Sequence, residues 1–198
     1  MPKDLKYLAL GDSYTIGESV SPLQSFPFQF VSLLRSAKLH CDDPVIIAKT
    51  GWTTDELSEA IHSTKPSADF SIVTLLIGVN NQYRGRSVEE YKKEFENLLL
   101  QAIHFASGNK EHVFVLSIPD YSYTPFAANM DKKKIHDQID EFNVVNKAIA
   151  FNIGVKYVDI TPVSRTTDLS FFANDGLHPS PKQYAEWSKL LFQEWLKG

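Results

Sequence analysis

The sequence predicts an α/β protein, a three-layer α/β/α sandwich around a five-stranded parallel sheet. Five short apolar runs lack the polar–apolar alternation of a half-exposed strand, which indicates strands buried on both faces. Segments with apolar residues three or four positions apart lie between these runs and indicate helices. Such alternation is typical of a parallel sheet with right-handed crossovers. A chain of 198 residues is expected to form one domain, residues 1–198.

The predicted strands are residues 5–10, 44–48, 70–77, 112–118 and 155–160. Three helices also have clear end signals. Ser87 and Glu90 predict a capping box, Gly154 a C-terminal cap, and Ser180 with Pro181 the start of the last helix. The residues of these three helices expected in the core are Tyr91, Phe95, Leu98, Ala102, Phe105, Ile135, Ile139, Phe142, Ile149, Tyr184, Trp187 and Leu191.

Composition argues against two classes of partner. The chain carries 20 basic and 24 acidic residues, a formal net charge of −4. A chain with more acidic than basic residues is not expected to have the basic surface that binds nucleic acid or an anionic membrane. No apolar run approaches the roughly 20 residues that span a bilayer. We therefore expect no nucleic-acid partner and no membrane span.

The cysteine and histidine content bears on compartment and cofactors. Cys41 is the only cysteine, so an intrachain disulfide is impossible, which suits a reducing compartment. The N-terminal residues lack the apolar segment of an export signal, and a cytoplasmic location is the resulting expectation. The six histidines show no metal-binding spacing, so we expect no metal and no cofactor.

Candidate catalytic residues lie in the loops that follow the predicted strands, where the ligand sites of parallel sheets occur. Ser13 follows the first strand, Gly51 the second and Asn80 the third. Near the C-terminus, Asp175 precedes His178 by three residues, so one short turn can join carboxylate and imidazole. Each feature also has an ordinary structural reading as a helix cap, a turn glycine, a loop amide or an Asx turn.

The four features in this order resemble the SGNH hydrolases, also called GDSL esterases and lipases. The matching blocks are Gly11-Asp12-Ser13, Gly51, Gly78-x-Asn80 and Asp175-x-x-His178. The resemblance implies a flavodoxin-like sheet and hydrolysis of esters or thioesters through an acyl-enzyme.

The roles carried over by the resemblance are residue-specific. Ser13 is the expected nucleophile, His178 its general base, and Asp175 the residue that orients the imidazole. The backbone N–H groups of Ser13 and Gly51 and the amide of Asn80 are the expected oxyanion hole. Two positions depart from the family pattern: Tyr14 stands where Leu is common, and Asn81 where Asp is common. Asn81 is expected to replace most of the local hydrogen bonds that the usual acid makes around this loop.

Substrate contacts are expected from loop residues around these groups. The predicted substrate-binding residues are Asp12, Trp52, Asn81, Gln82, Tyr83 and Phe126. Tyr121 and Tyr123 are further candidates to line an acyl or alcohol pocket, and Arg84 and Arg86 are either anion-binding or solvated charges. Residues 119–130 are too short and polar for a lid over a long acyl chain, so short-acyl or acetyl esters are the expected substrates.

Alternatives remain open at this point. The same catalytic residues would serve a lysophospholipase, an acyl-CoA thioesterase or a carbohydrate deacetylase, because loops set the substrate. An inactive glycan-binding relative is a further reading. A flavodoxin-like phosphate or nucleotide binder is the main rival from another class, with Ser13-x-Thr15-x-Gly17-x-Ser19 as its phosphate loop. Such a binder has no use for Asp175 and His178.

Overall fold

A five-stranded parallel sheet forms the centre of the computed structural model, which describes residues 4–197. Its strands are β1 (Tyr7–Gly11), β2 (Val45–Ala48), β3 (Ile72–Leu76), β4 (Val113–Leu116) and β5 (Lys156–Val158). They lie in the order β2-β1-β3-β4-β5, and every neighbouring pair is parallel. The five strand positions predicted from the sequence are confirmed.

Helices cover both faces of the sheet, as predicted. They are α1 (Ser13–Ile16), α2 (Phe26–Ser36), α3 (Thr54–Thr64), α4 (Val79–Tyr83), α5 (Val88–Phe105), α6 (Lys132–Ile153), α7 (Thr161–Ser164) and α8 (Pro181–Trp195). Helices α2 and α8 pack together, with the rings of Phe26 and Trp187 6.3 Å apart. Helices α5 and α6 pack together through Tyr91 and Phe142, whose ring centroids are 4.6 Å apart.

Burial follows the position of each strand in the sheet. Strands β1, β3 and β4 are buried along their whole length, whereas the edge strands β2 and β5 are partly exposed. Burial on both faces is therefore right for the centre and wrong for the edges, where a strand has only one neighbour. The twelve predicted helix core residues are all buried. A large apolar side chain buried this way contributes about 1.5–3 kcal/mol.

Two of the three predicted helix ends form as expected. Gly154 caps α6 in the left-handed conformation, and the Ser180 hydroxyl accepts from the backbone N–H of Gln183 at the start of α8. The capping box is half formed: Ser87 Oγ accepts from the Glu90 N–H at 3.1 Å. The Glu90 carboxylate instead lies 3.5 Å from Arg86, because that guanidinium competes for it.

The topology brings the chemically interesting loops to one end of the sheet. Strands β2, β1 and β3 are neighbours, so the loops after them meet beyond their carboxyl ends. The segment before α8 returns to the same end, where Phe126 N–H donates to the Gly176 carbonyl at 2.9 Å. Within the described residues, no helix is long and apolar enough to cross a membrane.

Candidate active site

A cavity of about 190 Å³ lies beyond the carboxyl ends of β1, β2 and β3. It brings together the predicted Ser13, Gly51, Asn80 and His178, which lie up to 165 positions apart in the chain. Its lining residues are Ser13, Tyr14, Thr50, Gly51, Val79, Asn80, Tyr83, Tyr121, Phe126, Leu177 and His178. No group of three His, Cys, Asp or Glu side chains suited to a metal occurs between residues 4 and 197.

Ser13 is the first residue of α1, immediately after β1. Asp12 caps this short helix by accepting from the Tyr14 N–H at 3.0 Å, which fixes the direction of the chain at Ser13. Ser13 is 5% exposed, so only a small part of it reaches the cavity. Burial raises the pKa of Asp12 to about 7, because the charged carboxylate loses its hydration.

His178 and Asp175 form a close pair, and His178 lines the same cavity as Ser13. Asp175 Oδ2 lies 2.6 Å from His178 Nδ1, and Asp175 Oδ1 accepts from the backbone N–H groups of Leu177 and His178 at 2.9 and 3.0 Å. The ring of Tyr14 packs edge-on against the imidazole, 5.8 Å between centroids. Because Nδ1 is held by Asp175, Nε2 is the ring nitrogen left to act on a group in the cavity.

Partial burial favours the neutral form of Asp175, but the hydrogen bonds to its carboxylate outweigh this. Donors from Ser19, His178 and the backbone of Leu177 hold the pKa of Asp175 well below its ordinary value. Asp175 is therefore ionised at neutral pH, and its Oδ2 is placed to accept a hydrogen bond from Nδ1 of the imidazole.

Gly51 and Asn80 also line the cavity. Gly51 adopts φ +84°, a conformation that glycine reaches without the strain of a Cβ. Asn80 Nδ2 donates to the Trp52 carbonyl at 2.9 Å, which uses one of its two amide hydrogens. The second hydrogen remains available for a ligand. Arg84 Nη2 also donates to the Gly51 carbonyl at 2.6 Å, so this loop is fixed against α4 at two points.

Four of the predicted substrate-binding residues do not line the cavity. Asp12 is buried beneath α1, and Asn81 turns inward, where its amide accepts from the Thr54 N–H at 3.1 Å and donates to Thr54 Oγ1 at 2.6 Å. Gln82 is buried and donates to Gln138 at 2.9 Å. Trp52 packs against the core and contributes only its carbonyl, to Asn80. These four residues therefore support the loops. At position 81, the amide of Asn81 makes local hydrogen bonds, to Thr54, in place of those of the usual acid.

Aromatic residues form the outer wall. Tyr83 and Phe126 line the cavity as predicted, and the rings of Tyr83 and Tyr121 meet edge-on at 6.2 Å. Tyr121 begins a short 3₁₀ turn capped by Asp120, a fully buried carboxylate that accepts from His136 at 2.7 Å and Arg165 at 3.0 Å. The wall is therefore anchored to α6 and to the segment after α7.

Comparison with known families decides the class of this chain. Residues 9–186 match the model of the GDSL-like lipase/acylhydrolase family. The chain belongs to this family. Family members are hydrolases that include esterases, lipases and acylhydrolases, and the matched region contains every residue of the cavity. Among curated proteins, no sequence matches the chain significantly.

Solved structures of GDSL hydrolases share the fold. Lipase Lip_vut3 from a goat rumen metagenome is 18% identical with a TM-score of 0.77, covering 96% of this chain and 97% of its own. Esterase EstA from Pseudoalteromonas sp., inhibited by monoethylphosphonate, is 16% identical with a TM-score of 0.70, covering 98% and 100%. Acetylxylan esterase Axe2 from Geobacillus stearothermophilus is 20% identical with a TM-score of 0.67, covering 100% and 95%.

Sequence reasoning missed several residues around the cavity. Thr50, Val79 and Leu177 line it beside residues that were predicted. For Val79 a signal existed: with Tyr83 it is spaced four residues apart, the helical repeat that places both on one face of α4. Ser19 and Arg84 act on Asp175 and Gly51 through contacts distant in sequence, which no local pattern reveals.

Proposed function

We propose that this protein is a serine hydrolase that cleaves carboxylic esters of short acyl groups. Ser13 Oγ attacks the ester carbonyl carbon while His178 Nε2 takes the hydroxyl proton. The imidazolium returns that proton to the alcohol oxygen as the ester bond breaks, which leaves an acyl group on Ser13. Water, activated by the same histidine, then hydrolyses this acyl-enzyme and restores the serine.

The observation that carries the proposal is the shared cavity of Ser13 and His178, with Asp175 fixed on the far side of the ring. The carboxylate holds the imidazole in the tautomer that has its proton on Nδ1, which leaves the lone pair on Nε2 for the serine proton. A serine is a weak nucleophile on its own, so this base is what the chemistry requires.

Hydrogen-bond donors that line the same cavity suit the charge that develops on the carbonyl oxygen. The backbone N–H groups of Ser13 and Gly51 and the free amide hydrogen of Asn80 are the proposed oxyanion hole. A donor of this kind typically contributes about 3–4 kcal/mol to transition-state stabilisation. Because Asn80 is already bonded to Trp52, little reorganisation of its amide is needed during the reaction.

The size of the cavity supports a short acyl group. Its volume of about 190 Å³ is below the roughly 300–1,000 Å³ of pockets that enclose drug-sized ligands. The bulky side chains of Tyr121 and Phe126 are among its lining residues. This favours acetyl or butyryl esters over the substrates of a lysophospholipase or of a long-chain acyl-CoA thioesterase.

The phosphate-binding alternative fits the loop less well. Its Ser13-x-Thr15-x-Gly17-x-Ser19 segment would have to offer hydroxyls to an anion. Instead the Ser19 hydroxyl is bonded to Asp175, and Thr15 Oγ1 is buried. A carboxylate at this point repels phosphate.

A fluorophosphonate probe and p-nitrophenyl acetate test the proposal together. The probe should label wild-type protein on Ser13, and Ser13→Ala or His178→Ala should lower kcat by at least about 10³-fold, because the two residues act as one unit. Ser63→Ala and His62→Ala, which alter exposed residues of α3, are the matched controls and should keep full activity. The double variant of Ser13 and His178 should be hardly slower than either alone.

Two outcomes contradict this function. One is a folded Ser13→Ala protein with near-normal turnover. The other is clearly multiplicative losses in the double variant, which would mean that serine and histidine act in separate steps.

A further inference from the structure

Ser19 donates a hydrogen bond to the carboxylate that holds His178. Ser19 Oγ lies 2.6 Å from Asp175 Oδ2, the same oxygen that lies 2.6 Å from His178 Nδ1. Ser19 and Asp175 are 156 positions apart in the chain. The contact joins the loop that follows the serine helix to the loop that carries the acid and base.

The backbone at Ser19 is in an uncommon conformation. Its φ of +65° lies in the left-handed region, which residues other than glycine seldom occupy. Glycine would adopt this conformation without strain. A strained residue at such a point calls for a compensating contact, and the hydroxyl bond to Asp175 is one that glycine cannot make.

The turn that carries Ser19 is fixed to Ser13 itself. The backbone N–H groups of Gly17 and Glu18 both donate to the Ser13 carbonyl, at 3.2 and 3.0 Å. The Glu18 carboxylate accepts from the Thr50 hydroxyl, next to Gly51. The segment therefore contacts the serine, the glycine loop and the acid, so it can set their relative positions.

We propose that Ser19 is a positioning residue, which holds Asp175 Oδ2 against His178 Nδ1 and shares the charge of the carboxylate. The inference rests on the proposed function and extends it to a fourth side chain. Asp175 Oδ1 is fixed by two backbone N–H groups, and Ser19 and His178 together fix Oδ2. Without Ser19, one donor fewer restrains the carboxylate.

These contacts predict how the Ser19 hydroxyl changes the electrostatics at the His178 ring. The hydroxyl hydrogen of Ser19 carries a partial positive charge and lies against Asp175 Oδ2. It therefore reduces the negative potential that the carboxylate exerts on the imidazole. Removing the hydroxyl leaves more negative charge beside Nδ1, which favours the imidazolium. Tyr14 packs against His178, and both Tyr14 and Tyr184 interact electrostatically with Asp175. The other titratable groups that act on these two tyrosines are Asp12, Glu18, Asp120 and Tyr121, and the variants below leave all of them in place.

An NMR titration of the His178 ring nitrogens tests the proposal without any turnover. In Ser19→Ala and in Ser19→Gly the titration midpoint should rise by about 0.3–0.6 pH unit relative to wild type. For p-nitrophenyl acetate, kcat should fall about 3- to 10-fold with little change in KM, because a less restrained carboxylate orients the base less often. Ser63→Ala, which removes an exposed hydroxyl bonded to a carbonyl of α3, is the control and should shift neither quantity.

The two variants separate the hydroxyl from the backbone. Both lack the hydroxyl, but Ser19→Gly also relieves the left-handed strain, so equal midpoint shifts assign the effect to the hydroxyl. An unchanged or lower midpoint overturns the proposal, as does a shift in the alanine variant alone. Failure of the proposed function is distinguishable: the fluorophosphonate probe would leave Ser13 unlabelled while the His178 midpoint still responds to Ser19.

Discussion

Arg84 Nη2 donates a 2.6 Å hydrogen bond to the carbonyl oxygen of Gly51, across 33 positions of the chain. The same guanidinium lies 3.3 Å from Glu56, whose carboxylate caps α3 by accepting from the Thr53 N–H. Glycine rotates more freely than any other residue, so an anchor on the following peptide limits the motion of the Gly51 N–H. We therefore propose that Arg84 supports the proposed oxyanion hole and does not contact the substrate.

We predict that Arg84→Met lowers kcat for a small ester by about 3- to 10-fold with little change in KM, because the anchor aids only the transition state. Arg35→Met is the matched control, since Arg35 also donates to a backbone carbonyl, that of Cys41, away from the cavity. Steady-state kinetics of both variants checks this. An equal loss in the two would assign the effect to general destabilisation.

Asn80 provides a more direct test of the oxyanion hole. Asn80→Ala should reduce kcat by about 10²- to 10³-fold at nearly constant KM, because the amide binds the oxyanion more strongly than the ground-state carbonyl. Asn80→Asp keeps the shape but removes the donor and adds negative charge, so it should be at least as slow. If KM alone changes, Asn80 positions the substrate and does not stabilise the transition state.

The positions of several cavity residues could be predicted from the sequence, because the loops after neighbouring parallel strands meet at one edge of the sheet. Ser13, Gly51 and Asn80 each follow a buried strand, and neighbouring parallel strands end at the same edge. His178 was found through its spacing from Asp175, which one Asx-type turn can bridge. Strand positions and local turn chemistry indicate where these residues lie, and the resemblance to the SGNH hydrolases selected them among the other loop residues.

Two of the four substrate-binding candidates outside the cavity lie where the chain was interpreted as a loop but forms a helix. Residues 79–83 form α4, in which successive side chains rotate by about 100°. Asn80 and Tyr83 therefore face the cavity while Asn81 and Gln82 turn toward the interior. The contact of Ser19 with Asp175 could not be predicted for a different reason. The two residues lie 156 positions apart, so only the tertiary fold brings them together.

We predict that Asp12 makes the free energy of unfolding depend on pH. Its pKa in the folded protein is raised to about 7, against about 3.9 for an exposed Asp, so its favourable contribution is complete below about pH 4 and is lost as the pH rises through 7. Asp12→Asn removes this dependence and keeps an oxygen acceptor for the Tyr14 N–H. Relative to wild type, the variant should gain up to about 4 kcal/mol between pH 4 and pH 8.

Urea unfolding at several pH values measures this gain. Asp131→Asn is the control, because Asp131 is an exposed N-cap whose carboxylate likewise accepts a backbone N–H, from Lys134. A constant difference between wild type and Asp12→Asn over the whole range would show that Asp12 titrates as it does in the unfolded chain.

The acyl preference depends on the aromatic wall. We predict a higher kcat/KM for acetyl and butyryl esters than for esters of twelve or more carbons, because a cavity of about 190 Å³ cannot enclose a long chain. Phe126 is 44% exposed at the mouth of the cavity, so Phe126→Ala should open that end. The variant should shift the preference toward octanoyl esters by about 3- to 10-fold, the order expected for a few additional buried methylenes.

Phe151→Ala is the control for this prediction. It alters an aromatic side chain of α6 that is 84% exposed and outside the cavity, so it should leave the chain-length profile unchanged. The measurement is a series of p-nitrophenyl esters at concentrations where each is monomeric. A tenfold preference of the wild-type enzyme for palmitoyl esters or long acyl-CoA would overturn the short-acyl assignment, while the proposed roles of Ser13, Asp175 and His178 would stand.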